Sequence, residues 1–300
     1  MKKILIADAN NLAYRFFFAM DSLATHDGIP TTVIYNVLKF ISLTAYNLES
    51  DDTIIVWDGG KSNRQSLNPD YKAHRPNRPD TLHQEMSLAY KYFKRLGIKQ
   101  ILINGYEADD IIGVLVKKYC KKKKVYILSN DSDFYQLLQY HNVRMYKSNH
   151  DVLNKKMVCK KLGLKSIKDY VTYKALVGDG SDNVKGVSGI GPKKAQALLE
   201  HYHRTALLCA LDASPSTPKA IIKAKGVVDA QIELLEQNIE ILTIKSSDEY
   251  LQKKIKKYLA RYYKDIVTER EIESIFEELE FKTFLDAGIT KFVFEMGINK

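Results

Sequence analysis

The chain has 300 residues, and 45% of them are hydrophobic, which is enough for a sizeable core in one large domain or two modest ones. Lysine and arginine outnumber aspartate and glutamate by 46 to 36, and a balance this basic favours nucleic acid as a partner over an anionic membrane surface. No stretch approaches the length of a membrane span or of a signal-peptide core. The three cysteines, at positions 120, 159 and 209, are isolated in sequence, which fits a reducing cytoplasm and offers no zinc-site spacing.

Short apolar runs alternate with helical patterns in the first half of the chain. Three of the runs are each followed by an aspartate: residues 4–7 by Asp8, residues 53–57 by Asp58, and residues 125–128 by Asp131 and Asp133. Helical periodicity covers residues 33–47, 82–96 and 111–119. This alternation predicts an α/β fold with a central, mostly parallel sheet flanked by helices. Ligand sites form beyond the carboxyl ends of such strands, so the aspartates are predicted to converge.

An acidic cluster follows the strand-like run at residues 100–103. Glu107, Asp109 and Asp110 lie within four residues, just before an apolar helical pattern. Acidic side chains are favoured in the first turn of a helix, and a solvent-facing charged turn is one interpretation. The other is a metal site, because close carboxylates repel one another unless a cation neutralises them, and Mg²⁺ or Mn²⁺ prefers oxygen ligands. The three strand-end aspartates favour the metal site.

The segment between Asp58 and Leu82 is basic and punctuated by prolines, with no pattern for a strand or a long helix. Its cationic residues are Lys61, Arg64, Lys72, His74, Arg75 and Arg78. A loop of this length often borders a functional site, although a solvated surface loop has the same composition. The lysine run at 121–124 is interpreted as a solvated turn with at most a weak phosphate contact. The tyrosine-containing helical stretch at 251–264 is interpreted as a solvated helix with a half-buried aromatic face, with contact to nucleic acid as the alternative.

A glycine-rich segment comes after residue 177. Asp179 and Asp182 lie in its first part, residues 178–183. Its second part, residues 186–195, contains Gly186, Gly189, Ile190, Gly191, Lys193 and Lys194 and leads into a helical pattern. Glycines permit close backbone approach, and exposed N–H groups at a helix start suit a phosphate, with the lysines adding charge. An ordinary loop-to-helix turn would show the same glycine spacing. The remainder of the chain is predicted to be mostly helical.

Together and in this order, these segments resemble the structure-specific 5′-nuclease (flap endonuclease) family, in particular the 5′-nuclease domain of bacterial DNA polymerase I and the free-standing bacteriophage nucleases of the phage RNase H type. The resemblance is carried by residues 56–59, 71–76, 107–110, 129–133, 178–183, 189–191 and 279–281, together with Asp8. It covers nearly the whole chain. It implies a PIN/5′-nuclease-like core with a helix–three-turn–helix DNA-binding element in a helical C-terminal region.

The resemblance also implies roles for individual residues. Nine carboxylates fall on the family's metal positions: Asp8, Asp58, Glu107, Asp109, Asp110, Asp131, Asp133, Asp179 and Asp182. Tyr71, Lys72 and Arg75 fall on catalytic and 5′-end-handling positions of a basic arch at about residues 60–96. Gly186, Gly189, Ile190, Gly191, Lys193, Lys194 and Arg78 are implied to contact DNA. The expected division is a catalytic core at 1–175 and a DNA-binding and C-terminal region at 176–300.

The implied function is a free-standing, metal-dependent 5′-3′ exonuclease or flap endonuclease. It would use two Mg²⁺ ions, with Mn²⁺ as a substitute and K⁺ at the helix–three-turn–helix element. Its substrates would be duplex DNA with 5′ flaps or nicks and RNA–DNA primers, and a polymerase or single-strand-binding protein is an expected partner. We expect a cytoplasmic monomer with no membrane association. A related metal-dependent ribonuclease and an inactive branched-DNA-binding protein stay open as alternatives, with a Mg²⁺-dependent phosphatase behind them.

Overall fold

The computed structural model describes residues 1–60, 64–76, 79–147, 150–202, 207–208, 217–262 and 266–298. Arg78, one of the predicted DNA-binding residues, lies outside these ranges. A six-stranded sheet forms the centre of the fold, with strand order β3-β2-β1-β4-β5-β6. Its strands are β1 (Lys3–Asp8), β2 (Asp52–Trp57), β3 (Gln100–Leu102), β4 (Lys124–Leu128), β5 (Val143–Tyr146) and β6 (Val152–Leu153). All neighbours pair in parallel except β6, which is antiparallel to β5. The predicted fold class is confirmed.

The central strand β1 is buried on both faces, which explains its uninterrupted apolar sequence. Ile4 and Ile6 belong to one hydrophobic cluster, while Leu5 and Ala7 belong to another on the opposite face. Successive side chains in a strand point to opposite faces, so one strand contributes to both cores. Pairing of β1 with β2 sets Asp8 opposite Val56 and brings the carboxyl ends of the strands to one edge.

One face of the sheet is covered by helices from both ends of the chain. These are α1 (Ala9–Ala19), α2 (Thr32–Leu48), α4 (Asp80–Arg95), α12 (Glu269–Glu278), α13 (Lys282–Ala287) and α14 (Ile289–Met296). Helices α2 and α4 confirm the helical patterns predicted at 33–47 and 82–96. Between Asp58 and the start of α4 at Asp80, the described residues contain α3 (Arg64–Leu67), followed by turns, so the expected lack of a strand or a long helix is confirmed there.

The other face carries α3 and the 3-10 helix Ser132–Gln139. It also carries α5 (Ala108–Tyr119), α6 (Lys155–Leu162), α7 (Tyr170–Val177), α8 (Pro192–His201), α9 (Lys219–Asp229), α10 (Ile232–Leu242) and α11 (Glu249–Tyr262). A small antiparallel hairpin, β7 (Gly178–Asp179) and β8 (Val184–Lys185), follows α7. The hydrophobic cluster on this face includes residues on both sides of position 175, and the division of the chain at that position stays a prediction. Among the helices of the described ranges, we find none with the length and apolar character that crossing a bilayer requires.

Candidate active site

Asp8 lies at the carboxyl end of β1 and is tied to the neighbouring strand ends. Its Oδ1 accepts a hydrogen bond from the Asn11 N–H (3.1 Å) and caps helix α1, while its Oδ2 accepts one from the Ser129 hydroxyl (2.9 Å). The same hydroxyl accepts from the Asp131 N–H (3.1 Å), which links β1 to the segment after β4. Burial and the nearby Asp58 raise the pKa of Asp8 to about 7.

The first turn of α1 fixes the loops on either side of Asp8. The Asn10 side chain accepts a hydrogen bond from the Asp58 N–H (2.9 Å), and the Asn11 side chain accepts one from the Asn130 N–H (3.1 Å). Asp58 in turn accepts from the Ala108 N–H (2.8 Å) at the start of α5. The loops after β2 and β4 are therefore both held against the start of α1. The sequence analysis did not predict this role for Asn10 and Asn11, although asparagines directly after a strand-end aspartate are suited to such capping.

A cleft of about 460 Å³ opens beside these strand ends. Its lining includes the carboxylates Asp8, Asp58, Asp109 and Asp131, the cations Arg15, Lys72 and Arg75, and Tyr14. Withdrawal from solvent, together with Asp131 and Asp133, raises the pKa of Asp109 well above its usual value, despite the opposing effect of Lys72. Four of the nine predicted metal ligands thus share one cavity with two of the three predicted catalytic residues.

A second carboxylate group lies close by. Asp133, Asp179 and Asp182 each place one oxygen within 4.8 Å of the others. Lys174, from α7, forms ion pairs with both Asp133 and Asp179. Burial raises the pKa of Asp133 to about 6 even though Lys174 opposes the shift, while Lys174 and Ser181 outweigh burial at Asp179 and lower its pKa. The sequence analysis did not predict a role for Lys174. The pattern that could have indicated one is a single charged residue in a largely apolar helical segment directly before Gly178.

The basic loop is anchored to Glu107 and to Asp182 of the second carboxylate group. The Lys72 Nζ lies 3.0 Å from a Glu107 oxygen, and the Lys72 N–H donates to the Asp182 carbonyl (2.9 Å). The Arg75 guanidinium donates to the Asp182 carboxylate (2.6 Å). Tyr71 is only 3% exposed and lies in the core with its hydroxyl 3.5 Å from Glu107, so it supports the Lys72 side chain from beneath rather than lining the cleft.

Glu107 and Asp110 face a different partner from Asp109. Arg64 is 3% exposed and donates to both Asp110 oxygens (3.1 and 2.8 Å) and to Glu107 (3.1 Å). Asp110 also accepts from the Lys245 N–H (2.8 Å), and Arg64 donates to the Ile241 carbonyl (2.9 Å). The described lining of the cleft does not include Asp110. In this structure Asp110 therefore joins the acidic turn to Arg64 and to the segment after α10. In the sequence, Arg64 is one of several cations in the basic loop, and no local pattern predicts its pairing with Asp110.

The glycine turn forms a separate, exposed feature at the start of α8. Gly189 has φ +82°, Gly191 precedes Pro192 at the helix start, and Lys194 donates to the Gly189 carbonyl (2.8 Å). Gly189, Gly191, Lys193 and Lys194 are all exposed. Two of the predicted DNA-binding residues differ from these four. Ile190 is only 4% exposed, and a Cβ on Gly186 would lie 2.4 Å from the Val177 carbonyl. These two residues therefore stabilise the turn from inside.

Two family models match the chain over most of its length. The 5′-3′ exonuclease N-terminal resolvase-like domain matches residues 3–163, and the 5′-3′ exonuclease C-terminal SAM fold matches residues 166–247. The chain is 37% identical over 206 residues to a 5′-3′ exonuclease of Aquifex aeolicus, a match that covers 67% of this chain and 70% of that protein. It is 36% identical to a DNA polymerase I of Caldicellulosiruptor bescii, where the match covers 67% of this chain and 24% of the polymerase.

Solved structures show the same fold. A bacteriophage T5 D15 protein co-crystallised with metal ions aligns with a TM-score of 0.71 at 20% identity, covering 87% of this chain and 99% of the phage protein. The T5 D15 flap endonuclease in a complex with DNA and metal ions aligns with a TM-score of 0.69 at 21% identity. With the two family models, these similarities show that the chain belongs to the 5′-3′ exonuclease family and is a nuclease.

Proposed function

We propose that the protein is a structure-specific, divalent-metal-dependent 5′ nuclease. It hydrolyses phosphodiesters near the 5′ end of branched, nicked or RNA-primed duplex DNA and leaves 5′-phosphate and 3′-hydroxyl ends. The observation that carries this proposal is the cleft in which Asp8, Asp58, Asp109 and Asp131 face Lys72 and Arg75. Carboxylates that repel one another, beside cations that match a phosphate, suit metal-assisted phosphodiester hydrolysis.

The donor set fits hard divalent cations. The cleft and the adjoining group of Asp133, Asp179 and Asp182 offer carboxylate oxygens. Burial and neighbouring carboxylates raise the pKa values of Asp8 and Asp109, and a bound cation would favour their charged forms. We assign two Mg²⁺ ions, with Mn²⁺ as a substitute, to these seven residues. Glu107 and Asp110 remain in the predicted metal set, although Arg64 engages both of them. Bound ions would activate a water molecule and stabilise the leaving oxygen of an in-line displacement.

The protein's own cations hold the scissile phosphate. Lys72 lies on the wall of the cleft, fixed by Glu107 and by the Asp182 carbonyl. Arg75 is oriented by Asp182. A cation that is already positioned before reaction stabilises the charge that develops on the phosphorane without reorganisation. Tyr71 contributes by supporting Lys72 from the core, with the Lys72 Nζ 4.7 Å from the ring centre.

Duplex recognition is assigned to the glycine turn. Exposed N–H groups at the start of α8, together with Lys193 and Lys194, suit a backbone phosphate, and K⁺ at this element belongs to the same proposal. Backbone contacts read the shape of the substrate rather than its sequence. A cytoplasmic site of action, a monomeric state and cooperation with a polymerase or single-strand-binding protein complete the proposal.

One substrate panel tests the function. The protein is incubated with a 5′-labelled flap, a nicked duplex, an RNA-primed duplex and a single-stranded RNA, with and without Mg²⁺. The proposal predicts Mg²⁺-dependent cleavage of the three duplex substrates with 5′-phosphate products. Cleavage of single-stranded RNA alone would favour the ribonuclease alternative. Metal-independent binding of branched DNA without cleavage would favour the inactive DNA-binding protein.

A further inference from the structure

A groove of about 680 Å³ lies between the second half of α5 and the first half of α11. Its lining is Val114, Lys117, Lys118, Lys121, Glu249, Gln252, Lys253, Ile255 and Lys256. All five lysines are exposed, and among the lining residues the only acidic one is Glu249. The catalytic carboxylates lie elsewhere, at the opposite end of α5, where Asp109 occupies the first turn.

The groove joins two basic stretches that are about 130 residues apart in the chain. The lysines after α5 and those of α11 look like two solvated surfaces in the sequence, but Lys117 donates a hydrogen bond to Ser247 (2.5 Å) just before α11. Lys118 is exposed as a residue, but partial desolvation of its amine, with the nearby charges of Lys123 and Lys256, lowers its pKa against the opposing charge of Asp52. Like charges held together by the fold repel one another, and an anion in the groove would relieve that repulsion.

The lining favours a phosphate backbone over an acidic peptide. The apolar floor is closed, because Val114 and Ile255 are only 3% and 1% exposed. A peptide partner would need an apolar anchor in a pocket, which these side chains do not offer. Tyr250, next to Glu249 in the chain, is 59% exposed and has the Lys254 Nζ 4.5 Å from its ring centre. A basic concave surface with an exposed aromatic ring beside it is typical of single-strand binding.

We propose that this groove binds the phosphate backbone of a single nucleic-acid strand that extends from the substrate in the catalytic cleft. The inference rests on the proposed function, since it takes that substrate as the source of the strand. Lys118 lies ten residues beyond Ala108 on α5, which is about 15 Å along the helix axis. At the duplex spacing of about 3.4 Å per phosphate, a stacked arm covers that distance with about four or five nucleotides, and an extended arm covers it with fewer.

The test compares two variants with the same change of charge. Lys118→Glu with Lys256→Glu alters the groove, while Lys39→Glu with Lys282→Glu alters exposed lysines on the other face of the sheet. Affinity is measured in EDTA for nicked duplexes with 5′ arms of 0, 2, 10 and 20 nucleotides. The groove variant should lose about tenfold or more in affinity for the two long arms at low salt, with little change for the two short arms. For the long arms, the slope of log affinity against log salt concentration should fall in magnitude by about 1.4, because the variant loses two phosphate contacts and each single-strand contact contributes about 0.7.

Three results would overturn the inference: equal losses for all four arms, equal losses in the control variant, or unchanged binding of the long arms. If the groove variant instead loses binding of an octaglutamate peptide and retains the long arms, the groove serves an acidic protein partner. Mg²⁺-dependent cleavage of the armless nicked duplex, measured on the same preparations, tests the proposed function separately. Both variants should melt like the wild type, because all four lysines are exposed.

Discussion

Lys72 places its Nζ 3.0 Å from the Glu107 carboxylate, and this ion pair fixes a cation of the basic loop at the wall of the carboxylate-lined cleft. Lys72 itself has φ +57°, a left-handed conformation that costs energy for any residue with a side chain. The side chain of one loop residue is thereby held over the carboxylates before any substrate arrives. Its removal should affect the reaction more than the fold.

Lys72→Ala should lower single-turnover cleavage of a flap by about 10²-fold or more, the scale of losing one preorganised transition-state donor. Flap affinity should change by well under tenfold, because one phosphate contact among several contributes little to binding. The melting temperature should stay nearly unchanged, since Arg64 still neutralises Glu107. Lys72→Gly relieves the left-handed backbone and serves as a control for strain. A large binding loss with normal cleavage at saturation would remove Lys72 from the catalytic residues.

Asp131→Asn with Asp133→Asn should abolish cleavage and leave DNA binding intact. Both residues follow β4, one in the cleft and one in the second carboxylate group, so the change lowers metal affinity at both and reduces repulsion toward DNA. Asp27→Asn with Asp286→Asn, at two exposed positions, matches the change of charge. Flap cleavage by the Asp131/Asp133 variant at the wild-type rate would show that the metal assignment is wrong.

Gly189→Val with Gly191→Val should weaken duplex binding and affect cleavage of short single strands much less. Side chains at these exposed positions block the close approach of a phosphate to the start of α8. Gly28→Val is a matched control, because Gly28 has a similar φ of +80° and open space around it in a turn away from α8. Equal losses on duplex and single-stranded substrates would indicate misfolding or a direct catalytic role.

Arg64→Gln should destabilise the protein by about 3–5 kcal/mol, because it leaves the buried Asp110 carboxylate without its cationic partner. Arg95→Gln is the matched control: Arg95 makes an equally bidentate pair with Glu278, but both side chains are 40% exposed. That surface pair should contribute about 1 kcal/mol or less. Chemical denaturation of the two variants measures the difference, and similar losses would contradict a structural role specific to Arg64.

The metal-free protein should lose stability as the pH rises from about 4 to about 7. The pKa values of Asp8 and Asp133 are raised to about 7 and about 6 in the folded state, from about 3.9 in an unfolded chain. Stability from these raised pKa values is fully present below about pH 4 and is lost as the pH passes through the folded values. Added Mg²⁺ should therefore raise the melting temperature more at pH 8 than at pH 5. Asp8→Asn should flatten the pH dependence, and a wild-type slope in that variant would refute the assignment to Asp8.

The sequence alone determined the α/β class and predicted where the site would lie. Apolar runs that end at Asp8 and Asp58 can be recognised locally, because a buried parallel strand needs an apolar side chain at nearly every position. Their convergence then follows from the parallel sheet, without any knowledge of side-chain contacts. The helical patterns behind α2, α4 and α5 were similarly local, since each repeats with the helical period.

Only the tertiary structure decided which of these residues share a cavity. Asp109 and Asp110 are neighbours in sequence, yet Asp109 lines the cleft while Asp110 pairs with Arg64, because successive residues of a helix point in different directions. Lys174 pairs with Asp133, which is 41 residues away in the chain, and Lys118 lines the same groove as lysines of α11, which are further away still. Such pairings depend on how helices pack around the sheet, and packing joins residues that no local pattern connects.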